Sequence, residues 1–176
     1  MNSEKMKELS LTTAFTALYA AAVISLTSIS FNIFQVRVAD AMLPLAILFG
    51  WPAIMGVTLG AVISIFFGGL GIIDILGGAI ANFTATLLGW KIGCTRLKGS
   101  WLYATAVEIL TVTLVVGSYL SYIFNVPLAT GLLLVLVGSV IAIGLLGHLL
   151  LRAISKPMIV GVLRSHGIKL YLRRKD

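Results

Sequence analysis

Apolar residues run through this chain in long blocks, without the alternation of a half-buried strand or the single stripe of a surface helix. Charge-free stretches of 28, 33, 16 and 43 residues cover positions 9–36, 41–73, 75–90 and 109–151. A helix crosses a bilayer with about 20 apolar residues, so the pattern predicts spans at 9–30, 75–92, 101–124 and 128–151. The block 39–67 is broken by Gly50-Trp51-Pro52. A glycine followed by a proline suited to a first helical turn predicts two short helices with a tight turn between them. Neither half reaches the full hydrocarbon thickness unaided, so one or both should be tucked against protein. Asn125-Val126-Pro127 marks a further turn. The expectation is an all-α polytopic bundle of about six transmembrane helices. Residues 1–157 form its single domain, and 158–176 a basic cytoplasmic or interfacial tail, apolar at Ile159, Val162 and Leu163 between cations.

Composition sharpens this. Hydrophobic residues make up 59% of the 176, and only 13 Lys or Arg and 6 Asp or Glu are present, well under the roughly 25% charged residues of a soluble domain. Too little polar sequence is left for disorder, and no ten-residue alternation suggests a membrane barrel. The net charge of +7 sits beside the apolar blocks, where the positive-inside rule and anionic lipid account for it without nucleic acid. With both termini cytoplasmic, 12 of the 13 Lys and Arg lie inside and only Arg37 outside, which places the chain in the cell membrane as a multi-pass protein. The single cysteine, Cys94, can form no intramolecular disulfide.

Ionisable groups in or beside a membrane are costly and ask for a partner or a role. Arg37 and Asp40 stand three residues apart where the second helix begins, spaced to pair with each other or to meet a ligand. Asp74 follows Gly68-Gly69-Leu70-Gly71 and is expected to cap the fourth helix. Asn82 shares a helical face with Asp74, Gly78, Ala81 and Ala85, and carries both donor and acceptor into the membrane. Glu108 lies too far inside the fifth span to be a cap, and a carboxylate there suits a cationic or amine-bearing ligand. His148 reads as a histidine at the wet interface. On the first helix, Thr13, Ala17, Ala21 and Ser25 form a small-residue stripe that permits close helix contact, within the chain or with a partner. No Walker A, His-Glu-x-x-His, Gly-x-Ser-x-Gly or Cys/His cluster occurs, so neither an enzyme nor a resident cofactor or metal is expected. Energy for any transport must come from a gradient or another protein.

Two segments resemble the QueT family, the substrate-binding S components of energy-coupling factor (ECF) transporters for queuosine precursors. Gln35-Val36-Arg37-Val38-Ala39-Asp40-Ala41-Met42 is similar to that family's Arg-x-x-acid-Ala-Leu approach to helix two. Gly69-Leu70-Gly71-Ile72-Ile73-Asp74-Ile75-Leu76-Gly77-Gly78 is similar to its Gly-Leu-Gly-x-x-Asp-x-x-x-Gly loop. The likeness covers about residues 35–90, with Asp40 where the family usually has Glu and Asn82 where it has Thr. It implies capture of a 7-deazaguanine or related small heterocycle by Arg37, Asp40, Asp74, Asn82 and Glu108. It also implies docking of a transmembrane coupling subunit on Ala17 and Ala21, and ATP hydrolysis by two partner ATPases. Phe31, Phe34 and Trp51 offer stacking surfaces, Trp51 on the inner side. A stand-alone proton-coupled carrier using Glu108, or an intramembrane enzyme using Asp40, Asp74 and Glu108, are the other readings.

Overall fold

In hydrocarbon every backbone polar group must be satisfied within its own segment, which leaves helices as the local solution for such apolar blocks. The computed structural model describes residues 3–30, 36–95 and 97–171, except for the side chains of 28 and 29. Within these residues all regular structure is helical, without strands. Its helices are α1 (Ser3–Ser25), α2 (Thr27–Ser30), α3 (Ala46–Phe49), α4 (Trp51–Gly68), α5 (Ile72–Gly93), α6 (Ser100–Ile123), α7 (Leu128–Ser139), α8 (His148–Ile154) and α9 (Pro157–Ser165). A 3-10 helix, Val38–Leu45, leads directly into α3, and a π-helical segment, Val140–Gly147, joins α7 to α8. Among the described residues, five stretches are long and apolar enough to span a membrane: α1, α4, α5, α6 and the continuous run Leu128–Ile154.

The sixth element is the short helix Val38–Phe49. Mixed 3-10 and α rises give it about 22 Å, less than a bilayer core. From Ala39 to Phe49 all its residues but Met42 are buried, so the other helices wrap it and it forms the axis of the bundle. Its 3-10 geometry follows from Pro44, whose ring in an α-helix would press on the Asp40 carbonyl four residues back. The segment ends at Gly50, whose φ of 62° lies in the left-handed region, and α4 starts with Pro52 in its first turn. The Gly-Trp-Pro break is thus the turn expected from the sequence.

Close packing rests on small residues. A Cβ on Gly56 or Gly60 of α4 would strike the α1 backbone, lying 2.8 Å from the Thr12 carbonyl oxygen and 2.9 Å from that of Thr16 respectively. Gly117 of α6 likewise meets Leu132 of α7, and Gly147 meets Pro44. Buried Phe15, Tyr19, Ala20 and Val23 give α1 one inward face, while Thr13, Ala17, Ala21 and Ser25 are exposed on the other. The small-residue stripe therefore takes no part in packing within the chain.

Successive helices alternate in direction, so one end of the bundle collects the start of α1, the Gly50 turn, the α5–α6 turn with Cys94, and the tail. The tail returns beneath the bundle after α9. The Tyr171 amide donates to the Leu48 carbonyl at 2.8 Å, and its ring meets the Trp90 indole edge-on at 5.4 Å. On α9, Val160 is buried whereas Met158 and Val162 are exposed. Residues 172–176, the end of the basic tail expected from the sequence, lie outside the described residues.

Candidate functional site

The polar side chains converge at the opposite end. Arg37 and Asp40 enter it from the mouth of the 3-10 helix, Asp74 and Asn82 from one face of α5, Tyr19 from α1 and Tyr119 from α6. Arg37, Asp40, Asp74 and Asn82 are all at most 5% exposed. The α5 face has the composition expected from helical spacing, with Asp74, Gly78, Ala81, Asn82 and Ala85 all buried.

Two short relays organise the cluster. The Asn82 amide donates to the Tyr19 hydroxyl at 2.9 Å, and that hydroxyl donates to Asp40 Oδ1. The Tyr119 hydroxyl donates to Asp74 Oδ1 at 2.7 Å. Between them, the Arg37 guanidinium has Asp40 and Asp74 as its charged neighbours, and it approaches α5 at Gly78, where a Cβ would lie 3.8 Å from Nη1. Asp74 does not cap α5 as expected. The helix begins two residues earlier, with Gly71 in the cap position and no side-chain cap bond, so Asp74 faces the bundle within the first turn, where the positive end of the helix dipole favours a carboxylate. Nor do Arg37 and Asp40 satisfy each other, because Tyr19 serves Asp40 and the guanidinium Nε and Nη2 remain without a hydrogen-bond partner.

Asp74 Oδ2 and Asn82 Oδ1 are also buried without a partner. Orphaned polar atoms of this kind each cost roughly 1–3 kcal/mol, and here donors and acceptors occur together around one cation and two carboxylic acids. A cavity of about 10 Å³ opens beside Arg37 and Asp40 against Val112, Val116 and Ser139, room for about one water.

Glu108 does not belong to this cluster. It packs against Gly89, where any Cβ would collide with its carboxyl group, and Gly89 lies about 22 Å along α5 from Asp74. Glu108 is fully buried and neither oxygen has a partner. Trp51 also lies at the far end, tilted against Trp90 at 6.0 Å and Phe83 at 6.5 Å. Phe31 and Phe34 lie outside the described residues. His148 is half-buried, with Nδ1 unpartnered. No group of His, Cys, Asp and Glu among the described residues could hold a metal ion. Tyr19 and Tyr119, which carry both relays, were not anticipated. Only the register of Tyr19 with Phe15 and Val23, on the face away from the small-residue stripe, hints at its inward direction.

No curated protein and no solved structure shows a significant match to this chain. The family model described as QueT transporter matches residues 9–156, most of its length. That match takes in the polar cluster and all or most of each of the five long apolar stretches among the described residues, and the chain belongs to the QueT transporter family.

Proposed function

We propose that this membrane transport protein is the substrate-capturing subunit for a queuosine precursor or related 7-deazaguanine, with transport driven by ATP hydrolysis in partner subunits. The observation that carries the reading is the set of buried, unpartnered atoms on Arg37, Asp74 and Asn82. A deazaguanine presents ring N–H and exocyclic amine donors beside a carbonyl acceptor. Asp74 Oδ2 and Asn82 Oδ1 suit the donors, and the Arg37 guanidinium suits the carbonyl. With both acids ionised, the cluster carries one negative charge in excess, which a cationic aminomethyl substituent would neutralise. The exposed Ala17–Ala21 face is the surface proposed for the ECF coupling subunit, because close helix approach needs small side chains.

Titration of the purified chain with 7-aminomethyl-7-deazaguanine should give saturable 1:1 binding that the uncharged Arg37→Gln variant lacks. Absence of binding, or equal binding by Arg37→Gln, would refute the site. A second reading, a self-sufficient proton-driven carrier, draws on the unpartnered acid Glu108. Proteoliposomes holding this chain alone under a pH gradient separate the two: accumulation of the heterocycle supports the carrier, and its absence supports dependence on partners.

A further inference from the structure

At the end of the bundle away from the polar cluster, the first turns of α1, the Gly50 turn and the returning tail enclose a cavity of about 520 Å³, within the roughly 300–1,000 Å³ typical of small-molecule sites. Its walls differ in kind. Glu4, Glu8, Lys7 and Lys169 supply two acids and two bases, while Leu11, Phe49 and Pro52 are among the apolar wall residues.

The division follows depth in the membrane. The first charge-free run starts at Leu9, so Glu4 to Glu8 lie at headgroup level and Leu11 about a turn inside the hydrocarbon boundary. Trp51, on the rim, is 48% exposed, as suits an aromatic side chain at a membrane interface. The tail closes the far wall, with Lys7 reaching Gly167 and Tyr171 fixed to Leu48.

We propose that this cavity seats one zwitterionic, amine-bearing phospholipid. The ammonium lies against Glu4 and Glu8, the phosphate against Lys7 and Lys169, and the first part of an acyl chain against Leu11, Phe49 and Pro52. The formal charge of the four ionisable walls is zero, and their two signs match the two charges of such a headgroup. An anionic headgroup would leave both carboxylates facing its negative charge, and a free nucleotide would leave the apolar wall uncovered. The lipid would link α1 to the tail, and it is independent of the substrate proposed at the other end.

The test uses the full chain in nanodiscs of equal phosphatidylethanolamine and phosphatidylglycerol, with retained lipid identified by native mass spectrometry. One phosphatidylethanolamine per chain, enriched about tenfold or more over phosphatidylglycerol, is expected. The double variant Glu4→Gln with Glu8→Gln alters only exposed side chains and should lose that preference while remaining folded by circular dichroism. Equal retention of the two lipids, no retained lipid, or an unchanged preference in the double variant overturns the proposal. So does displacement of the lipid by 7-aminomethyl-7-deazaguanine, which would make the cavity a heterocycle site.

Discussion

Tyr19 accepts from Asn82 and donates to Asp40, so one hydroxyl couples three elements, while Tyr119 donates to Asp74 and joins α6 to α5. Asp74→Asn keeps the acceptor for Tyr119 but removes the charge available to a cationic ligand. Affinity for 7-aminomethyl-7-deazaguanine should fall more than tenfold by titration calorimetry, at least about 1.4 kcal/mol, with the variant still folded. Glu108→Gln makes a contrasting case. Its side chain sits about two-thirds of a membrane thickness from Asp74, so binding should stay within about threefold of wild type, a difference under ~0.7 kcal/mol. A tenfold loss would show that the ligand reaches Glu108. The grouping of Asp74 with Asn82 was legible because helical spacing alone puts them on one face. The separation of Glu108 runs against the grouping that the family resemblance implies, although the element order carries the signal: Glu108 lies early in α6 and Asp74 early in α5, and consecutive antiparallel helices begin at opposite ends of the bundle. Tyr19 and Tyr119 were not, because a tyrosine in an apolar run gives the same signal whether it faces lipid or a buried acid.

Along the helices, glycine and alanine do different jobs that the sequence does not distinguish. Gly56 and Gly60 admit α1 to van der Waals contact with α4, whereas Ala17 and Ala21 look outward. Gly56→Ala should therefore destabilise the isolated chain by about 1–3 kcal/mol, since the added carbon meets the α1 backbone, and a thermal melt in detergent would measure it. Ala17→Leu combined with Ala21→Leu should leave melting and ligand binding unchanged but abolish uptake in cells carrying the proposed ECF partner subunits. Loss of binding in that double variant would mean the stripe packs internally after all; undisturbed uptake would remove it as a docking surface. The number and order of the apolar elements were readable from charge-free runs and from Gly50-Trp51-Pro52. The return of the tail was not, because it depends on Tyr171 meeting Leu48, a pair joined by no local pattern.

For the whole molecule, the end that carries the cations makes an orientation testable. Cys94 is exposed beside the α5–α6 turn, at the same end as the start of α1 and the tail. The charge bias leads us to propose that this end is cytoplasmic; a membrane-impermeant maleimide should then label Cys94 in permeabilised cells and spare it in intact ones, and labelling of intact cells would invert the topology. The central 3-10 helix acts here as a strut of fixed length. A 3-10 helix rises about 0.5 Å more per residue than an α-helix, so relaxation of all of Val38–Leu45 to α geometry would shorten it by about 4 Å. Gly50 and Tyr171 anchor its inner end, so the whole stroke would appear at Arg37 and Asp40, withdrawing them from Tyr19, Asn82 and Asp74. Pro44 opposes that contraction. Pro44→Ala should let the strut shorten, weakening ligand binding from a position about two turns away from it, and cysteine pairs placed on Val36 and Ile75 would report the change in span by spin-label distances.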